Sequence, residues 1–289
     1  FRSVMSLKMF IAISGLPWAM WLDSAGAARH DILCAQPVAT LTAHGVITEI
    51  RGGSGVRQSD GDPFDLIRQQ LGKPQAGPEN LPFSGGALGY WGYDLARRSM
   101  VLPEQVRADN LPDMAVGIYD WAVVLDHQEK SARLVSSLRF PETKELLPGI
   151  LDRLLHGKVA AAAGFRVRGA VTSDFTPDSY AAAFAKVQDY LQAGDCYQVN
   201  LAQRFSAEAE GDALAAYHAL RALSPARFSA FLNFPWAQVL CASPERFLQV
   251  RHGMVETMPI KGTRPRGSHE QQDRRLALEL GRHPKDRAE

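Results

Sequence analysis

Two ionisable side chains carry the chemistry that this sequence offers. Glu245 follows Ser243-Pro244 at the entry to an apolar run, and Lys261 lies 16 residues later in the turn-forming stretch VETMPIKGTRPRG, residues 255–267. Two short adjacent strands between them would return the chain to one edge and bring the carboxyl and the amine together. A pair so placed can act as acid and nucleophile if its pocket raises the first pKa and lowers the second. Spacing alone favours the plainer reading, a Glu–Lys surface pair worth less than about 1 kcal/mol, with Arg264 and Arg266 completing a basic turn. A third polar group stands upstream. In DCYQVNLAQRF (195–205), Tyr197, Val199, Leu201 and Phe205 alternate with Gln198, Asn200 and Arg204. That pattern predicts a strand with one apolar face, whose other face either floors a polar cleft or simply meets solvent.

Other chemistries are excluded by spacing. Lys261-Gly262-Thr263 has no glycine-rich GxxxxGK run before it, so it is not a phosphate loop. FSGGALGYWGYDLARR (83–98) has Ala87 where a dinucleotide fingerprint needs glycine, so its glycines read as close backbone packing at a sheet. The histidines form no HExxH pair, and no GxSxG elbow holds a serine nucleophile. Three cysteines, Cys34, Cys196 and Cys241, lie too far apart for a CxxC site and suit a reducing compartment. Lys and Arg (32) nearly balance Asp and Glu (31), which gives no electrostatic footprint for nucleic acid.

The elements that must position these groups are legible as patterns. With 289 residues and 46% hydrophobic content the chain can bury a large core, and its length predicts two domains. The N-terminal run MFIAISGLPWAMWL (9–22) imitates a secretory signal, but Pro17 and Asp23 interrupt it. IYDWAVVLD (118–126) and SARLVSSLRF (131–140) read as a hairpin, and 160–174 as a linker of small residues. A helix follows, with Thr176 as N-cap, Pro177 at its first position and Gly194 past its end; Tyr180, Phe184, Val187 and Leu191 form one stripe expected to be buried. A second helix is expected around 212–223. Four runs, at 228–234, 237–243, 246–251 and 254–258, then read as successive strands, which suggests an α+β fold. The final HEQQDRRLALELGRHPKDRAE reads as a solvated helix, and a chain that opens at Phe1 and stops at KDRAE without punctuation reads as a fragment.

Four motifs, DCYQVNLAQRF, SPERFLQV, MPIKGTRPRG and KDRAE, fall in the order and spacing of the chorismate-utilising enzymes. FSGGALGYWGYDLARR and GLPWAMWLDS resemble the N-terminal domain of the anthranilate synthase component I branch of that family. The resemblance implies layered antiparallel β-sheets flanked by helices, with an N-terminal domain over 1–160 and the first part of a C-terminally truncated catalytic domain over 175–289. Members that form anthranilate carry alanine where this chain has Lys261, and isochorismate- or salicylate-forming members carry a lysine where it has Gln198. The combination of Gln198 and Lys261 implies amination of chorismate to 4-amino-4-deoxychorismate, for p-aminobenzoate and folate. In that scheme Lys261 attacks ring carbon 2 and Glu245 protonates the hydroxyl leaving carbon 4. Gly262 and Thr263 lie along the ring carboxylate. Mg2+ bridges that carboxylate to two glutamates, the first being Glu289 and the second belonging to a C-terminal portion outside these residues. Ammonia comes from a separate glutamine amidotransferase subunit, and the location is cytoplasmic. Leu22-Asp23-Ser24 loosely matches a Leu-x-Ser motif that lines a tryptophan pocket in relatives, which marks Ser24. Two alternatives stand beside this scheme: formation of anthranilate, and a non-catalytic chain that only binds the amidotransferase.

Overall fold

The computed structural model describes residues 2–75, 77–78, 80–101, 111–157 and 163–288. In chain order its elements are α1 (Arg2–Ile13), β1 (Met20–Asp23), β2 (His30–Cys34), β3 (Ala39–His44), β4 (Ile47–Gly52), β5 (Gly55–Ser59), α2 (Pro63–Leu71) and β6 (Gly86–Trp91). After a 3-10 turn (Tyr93–Arg98) come β7 (Met114–Tyr119), β8 (Trp121–Asp126), β9 (Ser131–Ser136), α3 (Pro141–His156), β10 (Phe165–Ser173), α4 (Pro177–Ala193) and β11 (Phe205–Gly211). The chain closes with α5 (Ala213–Leu223), β12 (Phe228–Asn233), β13 (Gln238–Ser243), β14 (Arg246–Arg251), β15 (Met254–Met258), α6 (Glu270–Arg282) and α7 (Pro284–Ala288). Two compact units result, Phe1–Ala160 with Leu220–Glu289, and Ala161–Ala219.

The larger unit is a stack of layers. A six-stranded sheet runs β13-β12-β1-β2-β8-β9, a five-stranded sheet runs β5-β4-β3-β7-β6, and every pairing is antiparallel. Between them Met20, Cys34, Ala230 and Leu232 of the first sheet meet Leu88, Ala115 and Tyr119 of the second. The outer face of the six-stranded sheet is covered by α1, whose Phe10 lies 5.3 Å from Trp21 and 5.6 Å from Phe231 between ring centroids. The outer face of the five-stranded sheet buries Leu41, Ile50, Val116 and Ile118 under Leu66 and Ile67 of α2. Each large side chain so enclosed contributes about 1.5–3 kcal/mol relative to exposure. The run that imitates a signal sequence is therefore core, with Phe10, Ile13, Met20 and Trp21 fully buried.

Several expectations need correction. The hairpin between 118–126 and 131–140 forms, but from β8 onward only, with Trp121↔Ser136 to Asp126↔Ser131 in register. Ile118 and Tyr119 belong instead to β7 in the other sheet, and the chain changes sheet at Asp120. Both strands are buried at every position because each is covered on both faces, which erases the alternation that would have separated them. Asp120 is 1% exposed at this corner, and its carboxylate accepts hydrogen bonds from Ser137 Oγ (2.6 Å), Arg139 N (3.2 Å) and Phe140 N (3.0 Å). The glycine-rich stretch at 83–98 enters β6, where a Cβ on Gly89 would stand 2.0 Å from the Ala115 carbonyl oxygen, so close packing at the sheet explains it.

In the smaller unit the supposed linker is largely strand, since β10 pairs with β11 from Phe165↔Gly211 to Ser173↔Phe205. Helix α4 has the expected ends: Thr176 Oγ1 accepts from Ser179 N at 3.1 Å, and Gly194 is left-handed at φ 80°. Its stripe is not buried. Tyr180 and Phe184 are 37% and 51% exposed, because this small unit has no further layer among its described residues to lay over them. DCYQVNLAQRF is irregular before Phe205; at Arg204 a neighbouring segment bonds to it, Asp174 N donating to the Arg204 carbonyl at 3.1 Å.

Candidate active site

Strands β14 and β15 form an antiparallel pair with Arg246↔Met258 and Arg251↔Met254 in register. Their open end delivers Glu245 from one strand and the Pro259–Gly267 loop from the other. The Glu245 turn is fixed locally: Glu245 N donates to Ser243 Oγ at 3.3 Å, and that hydroxyl donates to the Glu245 carbonyl at 3.2 Å. Arg246 bonds Gln249 at 2.6 Å and pairs with Glu256 across the hairpin, with its guanidinium 5.0 Å from the Phe228 ring centroid. Lys261 Nζ then stands 4.0 Å from Glu245 Oε1, with the two side chains 40% and 42% exposed. At that distance the groups attract without a direct hydrogen bond, and a small electrophile can reach both.

The arginines of the same loop are not free surface charges. Arg266 makes a two-pronged pair with Asp273 of α6, both contacts at 2.7 Å, and Gly267 N donates to the same carboxylate at 2.8 Å. The Arg266 guanidinium, helped by Gly267 N–H, holds the Asp273 carboxyl at about 2. Arg264 donates to Asp286 of α7 at 3.0 Å and lies 3.5 Å from Glu279. Gly262 sits at φ 65°, and a Cβ there would come within 2.9 Å of the Asp286 carboxyl, so only glycine fits beside Lys261. These anchors on α6 and α7 are not legible in the sequence, because Asp273 and Asp286 lie in a terminal run whose mixed charge reads as solvated. Their one visible signal was the pair of arginines flanking Pro265.

The other candidate residues lie as follows. Thr263 is exposed, and its carbonyl accepts from Arg264 at 2.9 Å. Gln198 is exposed in the smaller unit, in the irregular segment after α4 that lines a cleft of about 970 Å³ with Leu191, Asp195, Cys196 and Asn200. Ser24 is 2% exposed; its N–H donates to Asp31 Oδ1 at 2.8 Å and its hydroxyl lies 3.4 Å from the Ala28 carbonyl. Beside it Asp23 is paired with the buried Arg221. Glu289 lies outside the described residues. Among the described residues no three His, Cys, Asp or Glu side chains converge as metal donors, and no helix is long and apolar enough to cross a membrane.

Layered antiparallel sheets with helices outside, and a hairpin end that presents an amine beside a carboxyl, define the class: an α+β protein with a carboxyl–amine pair at a strand end. Comparison narrows that class. Residues 19–289 match the family described as chorismate binding enzyme, and the chain belongs to that family. It is 45% identical to aminodeoxychorismate synthase component 1 of Klebsiella aerogenes and 41% identical to that of Escherichia coli strain K12, over 97% of this chain in each case. The chain spans 62% of the length of these relatives. The crystal structure of anthranilate synthase component I from Streptococcus pneumoniae TIGR4 has the same fold, with a TM-score of 0.74 and 27% identity over 90% of this chain and 58% of that one.

Proposed function

We propose that this chain carries the amine and the acid of an aminodeoxychorismate synthase component 1, which converts chorismate and ammonia to 4-amino-4-deoxychorismate for p-aminobenzoate and folate. The observation that carries the reading is the 4.0 Å approach of Lys261 Nζ to Glu245 Oε1 in a chain 45% identical to such an enzyme. Glu245 gives its proton to the hydroxyl leaving ring carbon 4, which departs as water. The Lys261 amine bonds to carbon 2 as the double bonds shift. Ammonia then bonds to carbon 4, the double bonds shift back, and the lysine leaves carbon 2 with its electron pair. Splitting one difficult substitution into two is the general benefit of a covalent amine nucleophile. Gly262 and Thr263 line the ring carboxylate, and Gln198 contacts substrate where lysine-bearing relatives would activate water. The 1–160 and 175–289 division describes the two domains in that reading.

Ammonia comes from a glutamine amidotransferase partner, in keeping with the designation of the relatives as a first component. Mg2+ belongs to the same reading through Glu289 and a second glutamate. The described residues supply no donor set that fits the ion, so none of the steps above runs through it.

The test replaces Lys261 with alanine in a protein of the relatives' length that carries this chain. With ammonia as donor, product formation is expected to fall by about 10³-fold or more, the scale of a lost covalent nucleophile. Undiminished 4-amino-4-deoxychorismate would remove the lysine from the mechanism. The anthranilate alternative, favoured by the fold shared with anthranilate synthase component I, is separated by product mass and fluorescence, because it requires loss of pyruvate. Titration of the 289-residue chain with chorismate and magnesium separates a chain that binds substrate from one that only docks its partner.

A further inference from the structure

The five-stranded sheet has a second, unrelated cleft. On β3 the side chains alternate, with Leu41 and Ala43 turned into the core and Thr40, Thr42 and His44 to the opposite face. The strand register sets Thr42 beside Glu49 and Glu49 beside Gln58, with Arg51 beside Thr40. These side chains floor a cleft of about 720 Å³, within the size range of small-molecule sites. Its aromatic wall is Trp236, which packs edge-to-face at 5.5 Å and 85° on Trp18, itself 7% exposed and showing only its rim to the cleft. No residue of the cleft belongs to the Lys261 site.

The two indoles are held in place by their surroundings. Trp18 has φ 53°, a left-handed backbone that a bulky side chain rarely adopts and that tends to occur at ligand clamps. Buried Tyr119 secures it, its Oη donating to the Trp18 carbonyl at 2.8 Å, and Phe234 packs edge-on against Trp18 at 5.1 Å. Trp236 stacks on Phe234 at 5.7 Å and 13° and keeps 43% of its surface exposed. The ionic groups of the floor cancel, because Arg51 Nε bonds Glu49 Oε1 at 2.6 Å. The cleft thus offers the open surface of one indole, a donor and an acceptor side by side, a hydroxyl and an amide, and no net charge.

We propose that this cleft binds a neutral, planar, fused heteroaromatic ring of purine-like size. The ring stacks on the exposed part of Trp236 and turns its hydrogen-bonding edge to the row Thr42–Glu49–Gln58. Aromatic walls recognise the flat faces that such rings carry, whereas the polar row discriminates by edge chemistry. An anionic ring finds no unpaired cation on the floor, and a polyol has no flat face to stack.

The test uses the 289-residue chain and saturation-transfer NMR with adenosine and guanosine, with benzoate and glucose as an anionic and a polyol control. At least one nucleoside is expected to bind in the micromolar to low millimolar range, and its affinity to fall by about tenfold or more in both Trp236→Ala and Thr42→Val. Thr42→Val keeps the side-chain shape, so it still reports if Trp236→Ala disturbs the fold; far-UV circular dichroism checks both. The proposal is overturned if neither nucleoside binds at millimolar concentration, if Thr42→Val binds like the parent, or if benzoate or glucose binds as tightly.

Discussion

At the scale of single residues, two kinds of ionisable group stand apart. Lys261 and Glu245 are open to solvent, and as a pair they contribute less than about 1 kcal/mol to stability, so replacing either is expected to leave the melting temperature of the chain nearly unchanged. Asp31 is the opposite case. Burial pushes its carboxyl up, but the adjoining His127 ring and hydrogen bonds from Ser6 and Ser24 outweigh that effect and leave it below its ordinary value. His127 Nε2 lies 2.9 Å from Asp31 Oδ2, with both side chains at most 2% exposed. A carboxyl depressed in the folded state stabilises above its unfolded pKa of about 3.9 and loses that contribution as pH falls through the folded value. Thermal melts should therefore be flat for this group near neutrality and decline below about pH 4. Asp31→Asn is expected to cost about 3–5 kcal/mol near neutral pH, with a gap to the parent that narrows in acid. A constant gap from pH 7 to pH 3 would contradict that assignment. The Lys261–Glu245 meeting was legible because two strands of known length return a chain to one edge. The Asp31–His127 meeting was not, since it joins residues with no shared local pattern.

At the scale of elements, local chemistry was readable and burial was not. Thr176 and Gly194 marked the ends of α4 because capping is satisfied within a few residues. The fate of its apolar stripe depends on what packs there, which periodicity does not encode. Tyr197 to Leu201 failed to form a strand for the same reason, because a strand needs a paired neighbour. Two contrasts follow. Thr176→Ala should destabilise the smaller unit by about 1 kcal/mol, read by hydrogen exchange of α4 amides. Phe184→Ala should cost under about 1 kcal/mol in this chain, whereas Phe10→Ala, at a fully buried position, should cost about 3–5 kcal/mol in urea unfolding. Equal losses at the two phenylalanines would mean that α4 is covered after all.

At the scale of the whole molecule, the α+β class followed from successive apolar runs, but the arrangement of two stacked sheets did not. The decisive residue was Asp120, a lone acid within an apolar run, which reads as an interruption and is in fact a corner. Asp120→Ala strips three hydrogen bonds from a buried site and is expected to cost about 3–5 kcal/mol. The same corner makes β7 and β8 one ribbon woven through both layers. Neither sheet can peel away and leave the other intact, so amides of β7 and β8 should exchange with the same free energy of opening. A split protein or circular permutant cut between residues 119 and 121 should therefore fail to reassemble, while a cut at the β4–β5 turn, on the edge of one layer, should be tolerated.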